Sequence, residues 1–67
     1  MNAKEAREWS LWKQLDSYIR EQIEREVNAG YTSASIYHFR PNVKDINNLI
    51  DLGYSITFED GTTIIKW

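Results

Sequence analysis

The chain has 67 residues, with 8 Lys and Arg against 10 Asp and Glu, which gives a net charge of −2 at pH 7. A chain of this length holds at most one domain, and its 42% hydrophobic and 27% charged content is typical of a globular protein. The absence of cysteine excludes disulfides and cysteine-ligated metal, and a single histidine excludes an all-histidine metal site within one chain. No cofactor is therefore expected, and the sequence shows neither a membrane span nor a signal peptide.

The first segment, residues 3–29, predicts one long helix, because it lacks Gly and Pro and has apolar residues at helical spacing. Leu11 and Tyr18 flank this apolar stripe on one side and Trp9 flanks it on the other. Residues 1–8 contribute almost nothing to the stripe, so we expect them to extend beyond the globule and either fray or dock on another subunit. The stripe consists of Trp12, Leu15, Ile19, Ile23 and Val27.

Residues 32–39 predict a strand with apolar groups on both sides. Strict alternation places Ala34, Ile36 and His38 on one side, and Tyr37 and Phe39 on the other.

A second amphipathic helix is predicted over residues 43–52. Asn42 is a favourable N-cap, Asp45 is placed as in a capping box, and Gly53 ends the helix.

Residues 54–67 predict a β-hairpin, because Asp60-Gly61 separates two alternating runs and favours a two-residue type I′ turn. This turn sets the register, so that Phe58 faces Thr63 and Tyr54 faces Trp67.

The predicted fold class is α+β, with residues 1–67 forming a single domain. The order helix, strand, helix, strand, strand favours a two-layer αβαββ sandwich, with both helices on one face of a three-stranded mixed sheet. The first two strands run parallel to each other, since the connection between them is a right-handed crossover. We favour the C-terminal strand in the middle, although an order with the second strand in the middle is also open.

No residue pattern indicates catalysis, and we expect a protein that is not an enzyme. His38 has no nucleophile or carboxylate at a suitable spacing, and the acidic pair Glu59 and Asp60 falls at an exposed hairpin tip. The three glycines belong to caps and a turn rather than to a phosphate loop. Nucleic-acid binding is not expected either, because the Lys and Arg residues are interspersed with Glu.

The chain carries more apolar and aromatic surface than one small core requires, which predicts a protein–protein interface, most simply in a homo-oligomer. The alternative is that a small protein covers its own core with all of these groups. A second hypothesis is a ligand-binding protein that counters host defence by sequestering a nucleotide. Its pocket would lie at a subunit boundary and use Tyr37, His38 and Arg40. The candidate interface residues are Trp9, Leu11, Trp12, Tyr18, Tyr37, Phe39 and Ile64.

Residues 27–67 resemble small phage-encoded proteins of unknown function. The resemblance rests on Asn48-Leu-Ile-Asp-Leu-Gly-Tyr54 followed by Ile64-Ile-Lys-Trp67, with Ala29-Gly-Tyr-Thr-Ser-Ala34 upstream. The resemblance is structural and brings no catalytic residues with it. It implies a phage accessory or structural protein in the host cytoplasm or in the virion, with a virion component or a host protein as its partner.

Overall fold

The computed structural model describes residues 1–67 and confirms the α+β class. None of its helices combines the length and the hydrophobicity that a membrane-spanning helix requires. The helices are α1 (Ala3–Lys13), α2 (Ser17–Asn28) and α3 (Val43–Asp51), and the strands are β1 (Ser33–Tyr37), β2 (Ser55–Glu59) and β3 (Thr62–Lys66).

The prediction of one long helix over residues 3–29 is wrong, because the chain forms two helices that are separated at residues 14–16. Asp16 has φ −54° and ψ 136°, and its carboxylate accepts a 2.8 Å hydrogen bond from the backbone N–H of Tyr18. An N-cap residue has non-helical backbone angles, so Asp16 starts α2 and cannot continue α1. The two helices consequently present separate surfaces.

The strand order is β1-β3-β2, so the prediction that the C-terminal strand lies in the middle is confirmed. Both pairs of neighbouring strands are antiparallel. The predicted mixed sheet is therefore wrong, since β3 separates the two strands that run in the same direction and no parallel pair forms.

The predicted hairpin and its register are confirmed. Asp60 and Gly61 have φ values of 47° and 77°, as a type I′ turn requires at both central residues. Phe58 pairs with Thr63 as predicted. At the open end of the hairpin, the rings of Tyr54 and Trp67 meet edge to face with their centroids 5.9 Å apart.

Strand β1 is shorter than the predicted strand over residues 32–39, and its alternation ends at Tyr37. His38 has φ 55°, a left-handed conformation that reverses the direction of the following side chain. The expected common face of Tyr37 and Phe39 is therefore wrong. Tyr37 is exposed, whereas Phe39 packs against the core and meets the ring of Tyr18 at 5.2 Å. The hydroxyl of Thr63 holds this turn by donating a 2.6 Å hydrogen bond to the carbonyl of Phe39.

The core lies between the sheet, α2 and α3. Burial of each of its aliphatic side chains contributes about 1.5–3 kcal/mol. The predicted apolar stripe is buried only in its middle, since Trp12 is half-buried and Val27 is 52% exposed. The buried cluster consists of Leu15, Ile19, Ile23, Ile36, Leu49 and Ile65.

Helix α3 begins and ends as predicted. The side chain of Asn42 accepts a 2.8 Å hydrogen bond from the N–H of Asp45. At the other end Gly53 has φ 98°, and the N–H of Tyr54 donates to the carbonyl of Leu49 at 3.0 Å. This pairing is that of a Schellman motif, which reverses the chain directly after the helix.

Candidate functional site

The largest depression on the surface lies between α1, α2 and the start of the hairpin. It has a volume of about 460 Å³. Five of its seven lining residues are hydrophobic. The lining consists of Trp9, Trp12, Ile23, Glu24, Val27, Asn28 and Tyr54.

A second cleft of about 410 Å³ adjoins the first, because both are lined by Trp9, Trp12 and Tyr54. Leu52 and Met1 complete its apolar wall. The two clefts together are called the aromatic groove below.

Local geometry explains how the three shared rings come together. Trp9 and Trp12 are three residues apart on α1, so they lie on the same side of that helix. Tyr54 arrives from the opposite direction, because the left-handed Gly53 turns the chain back after α3. A residue with a β-carbon rarely adopts this conformation, so Gly53 is needed to place Tyr54 in the groove.

The rings differ in how far they are covered. Trp12 and Tyr54 are half-buried and pack against the core, so they are fixed in place. Trp9 is 53% exposed and Val27 is 52% exposed, one on each side of the first cleft. The groove therefore has a rigid aromatic floor and accessible apolar walls.

The charged side chains that line the aromatic groove are all carboxylates. Glu24 lines the first cleft, and Glu5 and Glu8 line the second. Basic groups approach from outside: the ammonium group of Lys13 lies 5.7 Å from the ring centroid of Trp9, and that of Lys4 lies 4.0 Å from the carboxylate of Glu8. The groove thus has an apolar interior, and its margin carries three carboxylates with two lysine ammonium groups beside them.

Burial raises the pKa of the Tyr54 phenol above its usual value of 10.0, because the charged phenolate is penalised where water is excluded. Tyr54 therefore stays neutral under ordinary conditions and contributes to the groove as an aromatic surface.

The structure distributes the seven predicted interface residues over four places. Trp9 and Trp12 lie in the aromatic groove, whereas Leu11 lines a small cleft between α1 and the end of α3, with Lys4, Arg7, Glu8 and Asp51. Tyr18 and Phe39 form an edge-to-face pair, with Tyr18 partly exposed. Tyr37 and Ile64 occupy the sheet face that points away from the core, where Ile64 pairs with Ser35 and Thr57.

The three residues of the ligand-binding hypothesis do not share a cavity within one chain. Tyr37 lines a groove beside Arg25, whereas Arg40 lines a cavity at the hairpin tip with Glu59 and Asp60. The guanidinium of Arg40 lies 4.7 Å from the ring centroid of Phe58, and His38 lines neither cavity.

No sequence pattern indicates that Tyr54 and Val27 belong to the groove. Val27 continues the spacing of the buried stripe, and Tyr54 belongs to the inward face of the hairpin. The signal that would have placed them is Asp16-Ser17, since an N-cap at this position separates α1 from α2 and opens the space between Trp9 and Val27.

No group of three or more His, Asp or Glu side chains lies close enough together to hold a metal ion. No protein-family model, curated protein or solved structure matches the chain at the significance that we required.

Proposed function

We propose that this protein acts by binding another protein, not as an enzyme, and that the aromatic groove is the surface that it uses. The main support is that Trp9 and Val27 remain half-exposed in a groove whose floor, Trp12 and Tyr54, packs against the core. Burial of apolar surface is the main favourable term in most protein association. Trp and Tyr are also enriched among the residues that dominate interface energies.

The charges around the groove select the partner. Of the three carboxylates that line the groove, only Glu8 lies in an ion pair, with Lys4, so Glu5 and Glu24 favour an apolar segment with Lys or Arg at its margins. A basic amphipathic helix has this pattern, and helix-in-groove docking is a common recognition mode. In the phage context that the sequence resemblance implies, this segment belongs to a virion or host protein.

The alternative function, nucleotide sequestration, has no comparable support. Its cation, Arg40, is stacked on Phe58 beside two carboxylates, which disfavour a phosphate group at that place.

Titration with two designed peptides tests the proposal. Both peptides share one amphipathic helical pattern of Leu residues, with Lys on the polar face of the first and Glu on that of the second. Tryptophan fluorescence of the protein should change on addition of the basic peptide only, and binding should weaken as salt is added, because charge attraction is screened.

Two pairs of variants locate the binding surface. Trp9→Ala should weaken binding of the basic peptide about tenfold or more, whereas Tyr31→Ala, an exposed aromatic outside the groove, should have no effect. Glu24→Lys should weaken binding, whereas Glu21→Lys on the same helix should not, since Glu21 does not line the groove. Equal binding of the two peptides, or equal loss within a pair of variants, would contradict the proposal.

A further inference from the structure

The outer edge of β1 is an unpaired strand edge that lacks the usual protection. Strand β1 pairs only with β3, so its other edge is free of the sheet. The strand Ser33–Tyr37 contains no charged residue and no proline. Natural proteins usually block such edges with Lys, Pro or a bulge, because an open edge accepts a further strand.

The hydrogen-bond pattern shows which residues face this edge. The N–H of Trp67 donates to the carbonyl of Thr32 at 3.0 Å. Hydrogen-bonded pairs recur at every second residue of an antiparallel ladder, so Ala34 and Ile36 also direct their main-chain groups at β3. Ser33, Ser35 and Tyr37 therefore direct their N–H and carbonyl groups at the free edge.

A groove of about 290 Å³ lies beside these same residues. Its remaining lining comes from Tyr31 and from Arg25 and Glu26 on α2. Tyr31 and Tyr37 are the two most exposed tyrosines, at 63% and 71%. The free main-chain groups thus open into a space that is bordered by uncovered aromatic surface.

We propose that β1 pairs antiparallel with β1 of a second copy, so that two three-stranded sheets become one sheet across a two-fold axis at Ser35. In this register Ser35 lies opposite the partner's Ser35, and Ser33 lies opposite the partner's Tyr37. Each of these pairs exchanges two main-chain hydrogen bonds, which gives about six in total. Tyr31 and Tyr37 lie next to the new strand and lose exposure.

Charge and symmetry favour a second copy as the occupant. An uncharged strand pairs with itself without repulsion, and the two charges of the groove, Arg25 and Glu26, are opposite in sign. Pairing of β1 with β1 closes at two copies, whereas pairing of β1 with the β2 edge of another copy would build a larger ring or an open filament.

The β2 edge is also less suited to addition. Glu59 flanks the two-residue turn and forms a hydrogen-bonded pair with Thr62, so Ile56 and Phe58 direct their main-chain groups outward. Strand β2 itself ends on the charged Glu59, and the guanidinium of Arg40 stacks on the ring of Phe58, whose main-chain groups face this edge. Strand β1 contains no charged residue, and the charges beside it lie on α2.

Sedimentation across a range of protein concentrations, with a matched pair of variants, tests this dimer. The wild type should form a dimer of the 7.9 kDa chain reversibly. Ser35→Lys places two Lys residues opposite each other and should weaken dimerisation about fivefold or more. Thr57 of β2 lies in the same row of the outer sheet face as Ser35, on the other side of Ile64. Thr57→Lys should therefore leave dimerisation unchanged.

Hydrogen exchange of the wild type provides a test that needs no variant. The amides of Ser33, Ser35 and Tyr37 should become protected as concentration rises, and those of Ile56 and Phe58 should not. A monomer at all concentrations, equal effects of the two Lys variants, or protection at β2 instead of β1 would overturn the proposal. Trp9→Ala should leave the dimer intact, so failure of the aromatic groove and failure of the dimer are distinguishable.

Discussion

Helix α1 contributes no buried residue, whereas α2, which follows after a short joint, buries Ile19 and Ile23 completely or nearly so. Both helices are rich in charged residues, and both carry apolar side chains at helical spacing. The difference arises at Asp16, the N-cap of α2, where the chain leaves the direction of α1 and begins a new helix. Helix α2 turns its apolar side to the sheet, and α1 rests on α3 and Tyr54 with its tryptophans along the groove. Helix α2 therefore supports the fold, while helix α1 provides accessible surface.

Two alanine substitutions, one in each helix, should differ strongly in how much they lower the free energy of unfolding. Ile19→Ala removes a fully buried side chain of α2 and should lower the free energy of unfolding by about 2–5 kcal/mol. Trp9→Ala removes a larger side chain, but one that is half in solvent, and should cost less than about 1 kcal/mol. Urea unfolding of both variants measures the difference. Similar losses would show that α1 belongs to the core as much as α2 does.

The two helix caps give a second and smaller contrast. Asn2 and Asp16 each accept a 2.8 Å hydrogen bond from a backbone N–H of the first turn. Asp16→Ala should cost about 1 kcal/mol, because α2 cannot fray without disturbing the core. Asn2→Ala should leave the unfolding free energy nearly unchanged and only lower the helix signal in circular dichroism, since the first turn of α1 can open alone.

If the two cap variants were equally destabilising, α1 and the core would unfold as one unit. Helix α1 would then support the fold as α2 does.

Those parts of the fold that depend on neighbouring residues were predictable from the sequence. The turn at Asp60-Gly61 and the alternation around it fixed the hairpin register independently of the rest of the chain. Asn42 and Gly53 marked the ends of α3 in the same local way.

The errors arose where local signals conflicted or were absent. Around Asp16, helix-favouring residues and apolar spacing continue on both sides, and a single capping residue outweighs them. At His38, a left-handed histidine has no sequence signature, so the side of Phe39 could not be predicted. The aromatic groove was predictable only in Trp9 and Trp12, because Tyr54 reaches them through tertiary packing.

A smaller effect on stability, one that depends on pH, should come from Tyr54, which lines the cleft between α1 and α2. Its pKa is raised by burial in the folded protein, so the unfolded chain loses the phenolic proton first. The free energy of unfolding should therefore fall as pH rises above the ordinary tyrosine value of 10.0, until the folded-state pKa is passed. Tyr54→Phe should reduce this decline, as measured by urea unfolding on both sides of that pH.

Two further variants connect this decline to the comparison of the helices. Tyr31→Phe, at an exposed ring, should leave the alkaline decline unchanged. Trp9→Ala should reduce it, because removal of the indole admits water to the cleft beside Tyr54 and lowers the desolvation that raises its pKa. If Trp9→Ala left the decline as it is in the wild type, the core alone would account for the burial of Tyr54. Helix α1 would then cover less of the groove floor than its position indicates.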